Sequence, residues 1–218
     1  MVTRWMSALW AATLLVGCAG ADGGTQGSGT GAPSPVASVG APAPGDSAAL
    51  SAAERDGLVF TREEEKLARD VYAALRAHDR SFDNIAQSEQ THMDAVGTLL
   101  TRYSLPDPVA GKGPGVFADP ALQALHDTLV QRGTPSLVDA LTVGVEIEEL
   151  DIHDIDEAGK GVSHPDIVET YANLTRGSRN HLRTFYSKLR AAGGTYTPKH
   201  IDEATFRAIV ESPAERGR

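Results

Sequence analysis

Between Phe82 and Tyr103, the residues Phe82, Ile85, Ala86, Met93, Val96, Leu100 and Tyr103 recur at steps of three and four. That period predicts a helix with one apolar stripe. Glu89 falls inside the stripe, seven residues after Phe82 and seven before Val96. A carboxylate among core-facing side chains is costly unless something pairs with it. His92 follows one turn later and points the same way. The chain must therefore fold so that other elements bring partners to the depth of Glu89. A Glu-x-x-His pair projecting into a helical bundle supplies two metal ligands from one helix.

The remaining periodic segments predict three more long helices. The first runs from about Thr61 to Asp79, with Thr61 and Glu64 as a capping box. Its inner face is Leu67, Ala68, Val71, Tyr72 and Leu75, and Glu65 shares a face with Ala68, Tyr72 and Leu75. Any one of Glu63, Glu64 and Glu65 reads equally well as part of a solvated helix start. The turn after Asp79 is short, so the first two helices are antiparallel neighbours. Residues 105–118 are rich in Pro and Gly and read as loop, followed by a short helix begun by Asp119-Pro120 and stopped at Gly133. The third long helix, from Ser136 to about Glu157, buries Leu137, Leu141, Gly144, Val145, Ile152 and Ile155. Periodicity also buries Glu148, with Glu149 at the edge as second choice. The fourth, from Pro165 to about Ala192, carries Ser178 and His181 on its apolar stripe. Residues 196–210 hold enough apolar side chains for a short capping helix.

The N-terminal part reads differently. Residues 1–17 have a basic Arg4, an apolar run and small residues, the layout of a secretory signal. The segment Leu15-Val16-Gly17-Cys18 resembles a bacterial lipobox, in which the signal is cut before a cysteine that then carries acyl chains. Cys18 is the sole cysteine, so no internal disulfide and no thiolate metal site can form. Residues 18–50 are Gly, Ala, Pro, Ser and Thr with few charges, a flexible tether. One domain follows over residues 51–212, and residues 213–218 read as a disordered tail. The net charge of −9 and the lack of a basic cluster argue against a nucleic-acid partner. The expected location is the bacterial cell envelope, anchored to membrane by lipid at Cys18. Ala19 rather than Asp after Cys18 favours an outer membrane where there are two.

Glu65, Glu89 with His92, Glu148 or Glu149, and His181 follow the order of a di-metal bundle, with a long crossover between the second and third long helices. Here the sequence resembles the ferritin-like superfamily. Glu65, Ala68, Arg69 and Tyr72 look like the first-helix signature of rubrerythrins, which are related to bacterioferritins. EEEKLARDVY, NIAQSEQTHMDAV, YSLPDPV, SLVDAL, IEELDI and RGSRNHLR together resemble an uncharacterised bacterial family of ferritin-like domains. The resemblance implies an all-α fold: a ferritin-like four-helix bundle with short extra helices. It implies Glu65 as a terminal ligand, Glu89 as a bridge and His92 as the nitrogen ligand of one metal, with Glu148 or Glu149 and His181 serving a second. Tyr72 would bond a ligating carboxylate from behind.

One position departs from the superfamily pattern, which wants Glu three residues before His181 and here meets Ser178. The second metal then lacks a carboxylate unless Glu148 and Glu149 both coordinate or Asp151 reaches in. Ser178 could instead hold a water or a ligand-bound oxygen. Nitrogen and oxygen donors without thiolate suit a divalent metal, iron foremost, with manganese or zinc as alternatives. The function expected is metal binding, with iron oxidation or reduction of dioxygen or peroxide as the chemistry. The alternatives are a metal-free interaction module of the envelope and passive metal sequestration.

Overall fold

In a computed structural model, residues 49–216 are described. The expected signal peptide, Cys18 and nearly all of the tether lie outside the described residues. Those described are all-helical, with no strand among them: α1 (Ala52–Leu75), α2 (Arg80–Arg102), α3 (Pro120–Gly133), α4 (Leu137–Gly159), α5 (Pro165–Ala191) and α6 (Glu203–Val210). The most extensive packing is of α1 on α2 and of α4 on α5. Packing of α1 on α4 and of α2 on α5 closes the four long helices into one group. That arrangement is compatible with the expected four-helix bundle. None of the described helices is long and apolar enough to cross a membrane.

The first helix begins nine residues before its expected start. The capping box is Ser51 and Glu54, not Thr61 and Glu64: Ser51 Oγ accepts from the Glu54 amide and Glu54 Oε2 from the Ser51 amide. Glu54 Oε1 also accepts from the Ser163 amide and lies 2.7 Å from His164 Nδ1, tying the start of α1 to that of α5. The other helices begin where their caps predict, with Asp79, Asp119, Ser136 and Asp202 each accepting from a first-turn amide.

The solvated reading of Glu63, Glu64 and Glu65 is overturned, because all three are buried. The long connection from Tyr103 to Asp119 folds back over them. Glu63 accepts from the amides of Ala118 and Asp119 at the start of α3. Lys66 reaches the Gly113 carbonyl and Asp70 accepts from the Gly115 amide. The crossover is thus anchored by charged groups of α1 that sequence alone would leave in water. Residues 213–216 are also held rather than frayed: Glu215 accepts from Arg179 Nε at 2.7 Å and Arg183 Nη2 at 2.8 Å.

Two apolar clusters fill the interior. One gathers Leu67, Val71, Tyr72, Phe82, Leu141, Leu182 and Phe185 among others, the second Leu58, Val96, Leu100, Ile155, Ile167 and Leu174. On α1, α2 and α5 the residues between the two clusters are polar: Thr61 to Glu65, Glu89 with His92, and Ser178 with His181. Glu148 and Asp151 from α4 join them, all buried. A polar layer therefore crosses the middle of an otherwise apolar interior. Each ion removed from water there costs several kcal/mol on the order of magnitude known for buried charges. That layer sets the functional question.

Candidate metal centre

Glu89 is the hub of the layer. It is fully buried, at 0 % exposure. Its Oε2 lies 2.7 Å from His92 Nδ1 on the same helix, and its Oε1 lies 2.8 Å from His181 Nδ1 on α5. Glu65 Oε2, from α1, is 3.1 Å from His92 Nδ1. Glu148 Oε2, from α4, is 3.4 Å from His181 Nδ1. Two triads result, Glu65–Glu89–His92 and Glu89–Glu148–His181, each with ligand atoms within 4.8 Å of one another and with Glu89 common to both.

The short distances are not matched by hydrogen bonds. Neither oxygen of Glu89 has a hydrogen-bond partner of acceptable geometry, and the same holds for Glu148 Oε2 and His181 Nδ1. Lone pairs that approach one another without a proton along the line are directed at a common third point. Buried polar atoms are normally paired. Four orphans converging in one layer fit a cation, and carboxylate with imidazole is a donor set for divalent first-row metals.

The charges in the layer depend on one another. Burial pushes both histidines down, but the carboxylates overrule it: Glu65 and Glu89 push His92 up to about 11, and Glu148 and Glu89 raise His181 well above its ordinary value. Burial pushes Glu65 and Glu148 up to about 7, against the pull of His92 and His181 respectively. Burial would also raise Glu89, yet the two histidines hold it below the usual carboxylate range. Asp151, one turn beyond Glu148, is driven well above its ordinary value by burial and by facing Glu65, Glu148 and Glu89.

Neighbours fix the ligand atoms. The Tyr72 hydroxyl donates to Glu148 Oε1 at 2.7 Å, the supporting role expected of it. His181 Nε2 lies 2.9 Å from Ser88 Oγ, so with that nitrogen donating, Nδ1 is left bare toward Glu89 and Glu148. Gly177 of α5 admits the His92 ring, since a Cβ there would lie 2.5 Å from Nε2. The two imidazoles stack with centroids 5.6 Å apart. Below Glu148, Tyr72, Phe82 and Phe185 form an aromatic floor, and Gly144 makes room for the Phe185 ring.

Five of the six expected ligands meet, namely Glu65, Glu89, His92, Glu148 and His181. Glu149 does not. It is equally buried but faces the segment before α6, where its Oε1 accepts from the amides of Lys199, His200 and Ile201 at 2.7–2.9 Å, and Oε2 from the Tyr196 hydroxyl. One residue further along a helix is a turn of about 100°, enough to move a carboxylate from one neighbour to another. Ser178 is buried as expected, but its hydroxyl is engaged by its own helix, 3.3 Å from the Leu174 carbonyl. Ser88 and Gly177 were missed. A glycine inside a helix costs about 1 kcal/mol relative to alanine, a signal that its smallness is needed.

A family model described as an uncharacterized protein domain (DUF2202) matches residues 54–213. The uncharacterized protein MJ0754 of Methanocaldococcus jannaschii is 47 % identical over 170 residues, covering 77 % of this chain and 92 % of that protein. The crystal structure of that hypothetical protein superposes with a TM-score of 0.74 at 46 % identity, covering 76 % of this chain and 96 % of the other. The expectation of a bacterial family is corrected by this archaeal relative, which lends no support to a bacterial lipid anchor.

Proposed function

The chain belongs to this family of uncharacterised domains, and we propose that it is a ferritin-like metal-binding protein whose four long helices hold a pair of divalent cations. Glu89 bridges the pair. Glu65 and His92 complete one position, Glu148 and His181 the other. The observation that carries this reading is Glu89 itself: fully buried, both oxygens without a hydrogen bond, each under 3 Å from the Nδ1 of a different histidine.

Iron is the foremost metal, with manganese or zinc as alternatives, because the donors are nitrogen and oxygen only. Bound iron would supply electrons for reduction of dioxygen or peroxide. The chain's own residues do the rest. Tyr72 and Ser88 hold Glu148 and His181 in orientation, and Gly177 lets His92 reach inward. The two apolar clusters on either side keep water from the layer. Attachment to an envelope membrane through Cys18 belongs to the same proposal and rests on the sequence of residues 1–18.

A second reading, a metal-free interaction module, is favoured by one observation: protonated His92 and His181 could neutralise Glu65, Glu89 and Glu148 as ion pairs. Metal analysis of the purified chain separates the two. The proposal expects about two divalent ions per chain. It expects Glu89→Gln to lose both, and Glu169→Gln, on the exposed face of α5, to keep them. Equal metal content in the two variants would overturn the ligand assignment.

A further inference from the structure

Three acids on the α1–α4 side are not used by the two triads. Asp151 follows Glu148 by one turn of α4, Asp154 follows Asp151 by another, and Glu64 precedes Glu65 on α1. Asp151 is 1 % exposed and Glu64 3 %. Both oxygens of Asp151 and Oε1 of Glu64 are without a hydrogen bond. These acids face one another: Glu64 feels the charges of Asp154 and Asp151, and Asp151 that of Asp154 as well as those of the centre.

The other buried acids outside the centre do not share this condition. Glu54 is answered by the Ser51 and Ser163 amides, Glu63 by those of Ala118 and Asp119, Asp70 by Lys66 and Arg69, and Glu149 by three amides and a tyrosine. Among the described residues, no lysine, arginine or histidine lies within ion-pair distance of Glu64 or Asp151, whereas every other pair named here has its donor. The fold evidently satisfies buried carboxylates where it uses them as struts. Here it leaves them bare.

Burial is also graded. The His153 ring, 2.7 Å from Asp154 Oδ1, is 35 % exposed in its side chain and Asp154 is 10 % exposed. Glu64 and Asp151 lie deeper, and Glu65 and Glu148 follow. We propose that Asp151, Glu64 and Asp154 form a further site for a hard divalent cation, built of oxygen ligands alone, on a line leading from the surface at His153 toward the centre. Carboxylate oxygens without nitrogen or sulfur select cations of the Mn²⁺, Fe²⁺, Mg²⁺ and Ca²⁺ kind. The geometry of this site is independent of the triads, but its purpose, supplying cations to Glu65 and Glu148, rests on the metal-binding reading of the centre.

The probe is Mn²⁺ alone, soaked into crystals of the full chain and located by anomalous scattering. The expected result is a peak between Asp151 and Glu64, apart from those at His92 and His181. In Glu64→Gln/Asp151→Asn that peak disappears, the histidine peaks remain, and Mn²⁺ bound in solution falls by about one ion per chain. Glu64→Gln alone serves where the double variant does not fold, and the wild-type map needs neither. Peaks at the histidines with none at Asp151 and Glu64 would overturn the inference and leave the centre standing. A peak at Asp151 and Glu64 with none at the histidines would uphold it and sink the two-metal reading. Manganese at neither place overturns both.

Discussion

The ring of His92 lies where a side chain on Gly177 would have to be: a Cβ built there stands 2.5 Å from Nε2 and 2.6 Å from Cε1. The two residues belong to helices α2 and α5, so the approach of those helices and the aim of His92 are set together. What blocks the Cβ is the far end of a side chain, which can swing, and not backbone.

Gly177→Ala is therefore expected to keep the fold and lose the ligand. Alanine gains up to about 1 kcal/mol of helix propensity in the interior of α5, which offsets the displacement of the ring. Misaiming a metal ligand costs roughly 10–100-fold in affinity. Isothermal titration with Mn²⁺ beside thermal unfolding of the metal-free protein checks both parts. A variant that binds as tightly as wild type would place His92 outside the ligand set.

Ser88→Ala tests the support behind the other histidine. Without Oγ, His181 loses the partner of Nε2, and nothing then selects the tautomer that bares Nδ1. Metal affinity should drop by roughly 10-fold, while Ser88→Thr, which retains a hydroxyl, should recover most of it. Equal losses in both variants would point to packing of the side chain rather than to its hydrogen bond.

Glu149→Ala should do the reverse of a ligand substitution. The carboxylate gathers the amides of Lys199, His200 and Ile201 and the Tyr196 hydroxyl. Hydrogen bonds to a charged group contribute about 1.5–3 kcal/mol each, so the loss should exceed about 3 kcal/mol in urea unfolding. Metal bound per folded chain should stay unchanged. A fall in metal content matching that of Glu89→Gln would return Glu149 to the centre.

The fates of Glu148 and Glu149 mark where sequence reasoning stops. Periodicity can say that a position faces inward, and it placed Glu89, His92, Glu148 and His181 correctly because each lies on an apolar stripe of its own helix. It cannot say which neighbour the position faces. Glu149 is also buried, and its partners come from an aperiodic segment fifty residues away. Glu63 and Glu64 failed for the same reason. Three adjacent glutamates look solvated until the crossover and α4 cover them, and nothing local records that cover. The Ser51–Glu54 box was legible as a pattern but stands before a weakly apolar stretch, so the stronger stripe after Thr61 drew the helix start to itself. Ser88 and Gly177 carry no charge and no periodic weight, and only the three-dimensional neighbourhood shows that they aim the two histidines.

Metal-free protein should lose stability as pH rises, the opposite of ordinary acid denaturation. Glu65 and Glu148 stand near 7 in the folded chain against an ordinary 4.5. Folded protein thus holds protons that the unfolded chain has released across that window. The stability tied to those protons is complete below 4.5 and is lost as pH climbs through about 7. His92, raised from 6.5 to about 11, continues the decline at higher pH. Glu89 is shifted the other way, but its effect falls below 4.5 and leaves the window untouched. Each proton contributes at most about 1.4 kcal/mol per pH unit. Bound cations reverse the dependence, because they require the deprotonated carboxylates and compete with the same protons. Urea unfolding at about pH 5 and about pH 8, with and without saturating Mn²⁺, should give a falling midpoint without metal and a level or rising one with it. A metal-free midpoint that climbed over this range would mean that Glu65 and Glu148 are ionised at little cost, and that the polar layer is solvated rather than closed.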